Sequence, residues 1–414
     1  MSNTPSFRIA LSCSLLVAAA GAGLAGCGGP GGHPLSARPY DAARQVGFTG
    51  LAEGREVPLD KPLAITARDD DARITDVTAV DEAGRHLAGE LSADGRGWRS
   101  TGAPAAGARY TVRVATENGD GAPGLRTMTF RTAPARKLLK VEFGPEAGTY
   151  GVGQPLTATL SAPVKSKEGR AAVERALRVD STPEVTGGWH WVDDEKLHFR
   201  PKEYWPAGAS VTLTSTLGGA HIGGGLYGAP TEPLKIDIGD RVEAVTDAST
   251  HMMVVRRNGE VINTIPVTTG KPGFETRNGV KVVLEKQPFV RMRSTTVGIA
   301  AGSSESYDLP VHYATRVTWS GEYVHAAPWS VGSQGYANVS HGCVGMSTSN
   351  AAWFFENFRR GDIVEVVNSH GEDMTPFGNG FGEWNMTWDR WQQGSAVQAD
   401  TGRAGPARLS PLPR

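Results

Sequence analysis

From residue 39 onward the chain is cut into short apolar-alternating segments by clusters of glycine, aspartate and asparagine, and this texture restricts the fold more than any other feature. Leu63-Ala-Ile-Thr-Ala-Arg68, Ile74-Thr-Asp-Val-Thr-Ala-Val80 and Tyr110-Thr-Val-Arg-Val-Ala115 alternate apolar and polar side chains, as half-buried strands do. Asp69-Asp70-Asp71, Ala93-Asp-Gly-Arg-Gly97 and Asn118-Gly-Asp-Gly121 stand between them as turns. Glycine reaches 53 of 414 residues, well above the usual ~7%, yet follows no repeat. Short strands with tight turns at this spacing predict a β-sandwich over residues 39–134.

Residues 135–238 repeat the texture in Thr157-Ala-Thr-Leu160, Lys196-Leu-His-Phe-Arg200 and Ser210-Val-Thr-Leu-Thr-Ser215. Pro201-Lys-Glu-Tyr-Trp-Pro-Ala-Gly208 reads as a corner between late strands of an immunoglobulin-like fold. The expectation is two tandem immunoglobulin-like β-sandwiches acting as spacers, since neither gathers His, Cys and carboxylates. His190, His198 and His221 are scattered among strands and turns and read as surface or cross-strand residues.

A third block, 239–367, differs in kind. His251-Met-Met-Val-Val-Arg256 and Glu260-Val-Ile-Asn-Thr-Ile265 flank Asn258-Gly259, the pair that supplies the positive φ angles of a type I′ hairpin. Arg316-Val-Thr-Trp-Ser320 and Tyr323-Val-His325 continue the strand pattern. Thr348-Ser-Asn offers an N-cap for a helix over Ala351–Phe358, with Arg359, Arg360 and Gly361 at its end. Asp362-Ile-Val-Glu-Val-Val367 closes the block as a buried strand. In the tail, 368–395, Trp384, Trp388 and Trp391 stand at i, i+4 and i+7 and are expected to pack on the third block and lock it. Residues 396–414 read as a disordered tail.

Lys+Arg number 42 against 43 Asp+Glu, giving a net charge of −1 and no basic field for nucleic acid. After residue 27 no stretch reaches the ~18 apolar residues of a membrane span. Ile9 to Gly26 is an apolar, small-residue run after Arg8, the pattern of a secretory signal. Leu24-Ala25-Gly26-Cys27 resembles the lipobox of bacterial lipoproteins, which implies a signal over 1–26, lipidation of Cys27 and a Gly/Pro-rich tether over 27–38. The cysteines are Cys13, Cys27 and Cys343. Cys343 is then the single thiol of the exported chain, and an unpaired thiol in oxidising surroundings calls for a reason.

That reason lies around it. Ser340-His341-Gly342-Cys343 puts the thiol between a glycine-flanked turn and the start of a helix, with His325 upstream. A thiol becomes a useful nucleophile when an imidazole or a helix N-terminus stabilises its thiolate, and both devices are within reach here. The chain has no Walker-type phosphate loop, CxxC pair or HExxH helix, so no metal, nucleotide or redox cofactor is expected.

His325, fourteen intervening residues and Ser340-His341-Gly342-Cys343 resemble the catalytic signature of L,D-transpeptidases of the YkuD type. The likeness extends to Thr269-Gly270-Lys271-Pro272-Gly273, Asn278-Gly279-Val280, Ala327–Gly332, Arg360-Gly361-Asp362-Ile363-Val364 and the tryptophan tail. The layout of lipoprotein signal, two immunoglobulin-like modules, β-rich catalytic domain with one helix after the nucleophile, and C-terminal Trp-rich subdomain is similar to actinobacterial members.

The resemblance implies that Cys343 attacks a peptidoglycan stem tetrapeptide between its third residue and D-Ala, forming a thioester that an amine resolves into a 3→3 cross-link. It implies His325 as general base, the Ala326 carbonyl as its orienting group, and backbone N–H groups of Gly342 and Cys343 as oxyanion donors beside Ser340. His341 shapes the pocket, and Tyr307, Trp329, Met292 and Ser330 bind substrate. It further implies a diaminopimelate-containing stem, carbapenem β-lactams as covalent inhibitors, and a lipid-anchored place on the outer face of the cell membrane. Release of the acyl group to water or to a protein amine, or a non-catalytic wall-binding role, are the alternatives the residues leave open. Two positions depart from the pattern: Gly345 where Asn or Arg is common, and Arg277 where Pro is common in a Glu-Thr-Pro-x-Gly turn.

Overall fold

The computed structural model describes residues 38–49 and 56–397. The expected signal, Cys27 and nearly all of the tether lie outside the described residues, as does the tail beyond Val397. The described chain is mainly β, and none of its helices is long and apolar enough to cross a membrane.

Two four-stranded sheets make the first module: Tyr40–Asp41, Pro123–Arg131, Arg109–Glu117 and Arg73–Asp81 in one, Val46–Thr49, Ala64–Ala67, Gly97–Ser100 and Gly89–Leu91 in the other. Strand Arg109–Glu117 buries Tyr110, Val112, Val114 and Thr116 in strict alternation, which is the pattern read from the sequence. Their partners across the sandwich include Ile65 and Trp98.

The second module pairs Val141–Gly144, Leu156–Leu160, Lys196–Pro201 and Gly187–Trp191 in one sheet, and Gly148–Tyr150, Leu234–Ile238, Ser210–Ser215 and Leu177–Thr182 in another. Trp205, at the corner expected from residues 201–208, is fully buried and donates its indole N–H to Gln154 O at 2.7 Å. Helix α1, Lys167–Ala176, was not expected: Gly169 interrupts its sequence, and the signal for it was Ser166, whose side chain accepts from the Gly169 N–H. The modules are joined by Arg85 Nη1 donating to Gly218 O at 2.7 Å and Ala106 N–H to Gly219 O at 2.8 Å.

The third block is built from a five-stranded sheet (Glu260–Pro266, Met252–Arg257, Val242–Asp247, Ile363–Val367, Gly279–Val282) and a four-stranded one (Glu285–Arg293, Asp308–Arg316, Tyr323–Ala326, Val344–Met346). Val242, Met253, Val324 and Met346 meet between them, with Phe354 and Phe358. Asn258 and Gly259 take φ values of 51° and 92°, as the hairpin requires. Helix α2 runs over Thr348–Asn357 and is capped by Ser347, one residue before the expected cap group. It ends at Asn357 with Phe358 as its extended C-cap, so Arg359 and Arg360 stand past its last turn instead of in it. The strand expected through Ser320 stops at Arg316, and Thr318–Gly321 turns back with Gly321 at φ 106°.

The tail corrects a further expectation. Trp391, within helix α3 (Trp388–Gln392), donates its indole N–H to Gly188 O at 2.9 Å and stacks on His190 at 4.7 Å. Trp384 donates to Gly153 O at 2.8 Å, and the Arg200 guanidinium lies over Trp384, Trp388 and Trp391. These contacts are with the second module, because its sheet offers the cross-strand pair His190 and His198 as an aromatic platform. The third block is held by other tail residues: Asn385 bonds both backbone groups of Val280, and Met374 N–H donates to Asn278 O. At the end of the described tail, Ala396 N–H donates to Glu174 Oε2 at 2.7 Å.

Candidate active site

Strand Tyr323–Ala326 runs parallel to Val344–Met346, with His325 opposite Gly345 and Ala326 opposite Met346. Parallel neighbours need a long crossover, and residues 327–343 supply it, ending in the turn that carries Cys343. The spacing between histidine and cysteine is therefore the length of chain needed to leave one strand and rejoin the sheet beside it. Both side chains line a cavity of about 230 Å³.

His325 is buried, and its Nδ1 lies 2.8 Å from Ala326 O. A carbonyl only accepts, so Nδ1 carries the hydrogen and Nε2 keeps its lone pair. Burial holds the imidazole pKa below its ordinary value, which keeps the ring neutral.

The Cys343 thiol donates to Gly321 O at 3.5 Å. Burial pushes its pKa up to about 12; the Tyr323 N–H opposes this and the Glu322 carboxylate adds to it. The resting pair is thus a neutral thiol and a neutral imidazole. The helix N-terminus anticipated beside the thiol does not reach it, because strand Val344–Met346 lies between Cys343 and α2. Desolvation outweighs the one stabilising hydrogen bond.

The turn before the thiol is held from several sides. Ser340 Oγ donates to Cys343 O at 2.6 Å and accepts the Gly342 N–H at 3.1 Å, so that N–H is engaged in the resting site. Gly342 sits at φ 112°, a conformation a side chain would strain. Buried Thr276 accepts from Gly270 N–H and donates to Gly342 O, both at 2.9 Å. Residues Gly270 and Ser340 form a parallel bridge beneath it.

His341 Nε2 lies 2.7 Å from Glu305 Oε2, and Lys271 pairs with the same carboxylate. Lys271 first and His341 second hold the Glu305 carboxyl below its usual pKa. Phe274 and Tyr307 flank the His341 ring with centroids at 4.7 and 5.1 Å.

Of the residues anticipated from sequence, Cys343, His325, His341, Ser340, Tyr307, Trp329, Met292 and Ser330 line the one cavity. Ala326 and Gly342 stand behind it and contribute backbone groups. Gly345 also lines it, close against Thr268 and Ala327: a Cβ there would meet their side chains at 3.1 and 3.0 Å. Sequence reasoning did not find Glu305, Thr276, Glu322 or the Gly321 carbonyl. A local signal existed only for Thr276, in the Glu275–Gly279 turn. Among the described residues no three His, Cys, Asp or Glu side chains are grouped to hold a metal ion.

A family profile described as the L,D-transpeptidase catalytic domain matches residues 241–366, and one described as a bacterial Ig domain matches residues 54–221. The chain is 37% identical over 341 residues to L,D-transpeptidase 2 of Mycobacterium tuberculosis, covering 82% of each chain. With L,D-transpeptidase 5 of the same organism it shares 32% identity over 410 residues, 96% of this chain and 88% of the relative. A solved LD transpeptidase in complex with imipenem superposes with a TM-score of 0.49 at 39% identity, over 56% of this chain and 100% of that one.

Proposed function

Since this chain belongs to the L,D-transpeptidase family, an acyltransferase family, we propose that its acyl transfer runs through Cys343 and His325 at the cavity between the paired strands. The observation that carries this reading is the neutral imidazole whose Nδ1–H is fixed on the Ala326 carbonyl, leaving Nε2 as a base in the cavity that also holds the thiol.

On binding of the stem tetrapeptide the thiol leaves the Gly321 carbonyl and gives its proton to His325 Nε2 as sulfur adds to the carbonyl carbon before D-Ala. The Ala326 carbonyl steadies the imidazolium through Nδ1–H. The Cys343 N–H receives the oxyanion, joined by the Gly342 N–H once Ser340 Oγ gives it up; a preorganised donor of this kind is worth about 3–4 kcal/mol of barrier. The imidazolium proton goes to the departing D-Ala amine, and a thioester remains. An amine from a second stem then loses its proton to His325, the thioester C–S bond breaks, and the thiol is restored with a new peptide bond at the third residue. A base that stays neutral near pH 7 suits both proton transfers.

The walls supplied by Met292, Leu309, Val311 and Val339 suit the aliphatic part of a stem, while Tyr307 and His341 offer polar contacts at the same mouth. The same attack on a strained lactam carbonyl makes carbapenems covalent inhibitors. The exported, lipid-anchored location rests on Leu24-Ala25-Gly26-Cys27, and a Cys27→Ala chain recovered in the soluble rather than the membrane fraction is its test.

The functional test uses protein lacking residues 1–27, incubated with disaccharide-tetrapeptide and followed by mass spectrometry. Dimers with loss of D-Ala are expected, and Cys343→Ala should make none. Tripeptide without dimer would replace cross-linking by hydrolysis, and product from Cys343→Ala would sink the assignment.

A further inference from the structure

Segment 276–277 and the Thr318–Gly321 turn close on the nucleophile from two sides. Thr276 holds the Gly342 carbonyl, one residue before the thiol. Its neighbour Arg277 donates its backbone N–H at 3.1 Å and Nη1 at 3.0 Å to Glu322 Oε1. Glu322 follows Gly321, whose carbonyl accepts the thiol hydrogen. The carboxylate is almost wholly buried, with 7% side-chain exposure, and its Oε2 faces the fully buried Lys281 ammonium at 3.5 Å. Lys281 Nζ also donates to Arg277 O, which closes the group on itself.

Holding the turn does not require these charges. Thr318 Oγ1 already accepts the Glu322 N–H at 2.9 Å, Gly321 N–H bonds Thr318 O, and the tail's Asn379 Oδ1 accepts the Ser320 N–H at 2.7 Å. A buried ion group brings desolvation costs that its attractions only roughly offset, so stability is a weak reason for it. Its place, one residue from the carbonyl that parks the thiol, is a stronger one. We propose that Arg277, Lys281 and Glu322 are positioning residues for Cys343: the two cations offset a carboxylate that would otherwise oppose formation of the thiolate, and Arg277 sets how readily the thiol gives up its proton.

Glu322 is the charged group acting on the thiol, against which stand Tyr323 and His325 on the strand, Tyr307 across the cavity and His341 on the turn. The Glu322 charge raises the thiol pKa, and burial lowers that of Lys281, so the more exposed Arg277 guanidinium is the dependable counter-charge. Removing Arg277 leaves the thiolate facing more of the carboxylate's charge, whereas neutralising Glu322 removes that charge. The two changes have opposite signs. A proline at 277 would have neither the N–H nor the guanidinium, so the device needs this residue.

The inference rests on Cys343 being the nucleophile, but its test reads thiol reactivity and needs no substrate, so it fails or stands apart from the transfer reaction. Protein lacking residues 1–27 has Cys343 as its single thiol. Its alkylation by iodoacetamide at pH 8 is followed by intact mass, with thermal melting of each variant. Arg277→Met is expected to alkylate about threefold to tenfold more slowly, Glu322→Gln faster by a similar factor, and Arg277→Lys within about twofold of the parent. Any other pattern among folded variants, including equal rates or both changes shifting rates the same way as melting falls, overturns the proposal. Should Glu322→Gln not fold, the Arg277 pair decides: a slow Met variant beside a parental Lys variant supports it, and equal rates overturn it.

Discussion

Replacing Thr276 by valine keeps the volume and β-branching of the side chain and deletes one oxygen. That oxygen lies between two buried backbone groups, accepting from Gly270 N–H and donating to Gly342 O at 2.9 Å each. Thr276 is 2% exposed, so water cannot take over either bond. A buried polar group left without a partner costs about 1–3 kcal/mol, so two cost about 2–6 kcal/mol. For a block of this size 1 kcal/mol moves the melting point by about 2–4 °C, and a fall of roughly 5–20 °C is expected in the third block's transition. The bridge that loses its hydroxyl also fixes the backbone before the thiol, and misplacement of a reacting atom by about 1 Å can cost a hundredfold in rate. Scanning calorimetry and the time course of a carbapenem mass shift, both on protein lacking residues 1–27, read the two effects separately. Thr276→Ser retains the hydroxyl and should stay within a few degrees of the parent. A Thr276→Val protein that melts within about 2 °C of the parent and acylates at the parental rate would refute the reasoning.

Trp391→Ala removes a fully buried indole and its bond to Gly188 O, a change that usually costs about 3–5 kcal/mol; trypsin should then cut after the exposed Arg390 far sooner, and an unchanged half-life would deny the tail its clasping role. Carbapenem acylation should be level from about pH 7 to 9, because burial keeps His325 neutral there and Cys343, at about 12, remains protonated until His325 takes its proton. A rate climbing about tenfold per pH unit across that range would make free thiolate the attacking species. Burial raises the Asp362 carboxyl from 3.8 to about 7, so its protonated form favours the fold and that stabilisation is lost as pH rises from about 4 to 7, by at most about 4 kcal/mol. Asp362→Asn can still accept the Arg359 N–H, now met at 2.7 Å by Oδ2, and should raise the melting point at pH 8 while leaving it unchanged or lower at pH 4. Equal effects at both pH values would contradict this.

What the sequence disclosed follows from how local each signal is. Strand Arg109–Glu117 was legible because one face is in the core and the other in water, so its apolar period is two. The hairpin pair Glu285–Arg293 and Asp308–Arg316 was not, since no position of Glu285–Arg293 is fully buried and only its last few residues, around Val290 and Met292, alternate. Helix α1 hid behind Gly169, and the tail tryptophans were assigned to the wrong neighbour because a period shows which side chains share a face, never what lies opposite. His325 and Cys343 stood out through their fixed spacing and the lone thiol. Glu305, Thr276 and Glu322 reach the site from three separate loops, and only the folded chain brings their carboxylates and hydroxyl to it.

The tail's divided attachment has a mechanical consequence. A block joined to its neighbour by one covalent crossing can swivel about it. Here the chain enters the third block from strand Leu234–Ile238, and beside that crossing the Gly151 and Gly153 N–H groups bond the Arg360 and Gly361 carbonyls. The tail then returns to the second module after gripping Val280. Hydrogen bonds at Tyr150–Gly153 beside the crossing, and at Gly188 through Trp391, oppose the swivel, and the contacts of Arg85 and Ala106 stiffen the next joint along. The described chain is therefore built as a strut: lengthening or deleting a module would change how far the thiol stands from the first strand at Tyr40, with its chemistry untouched.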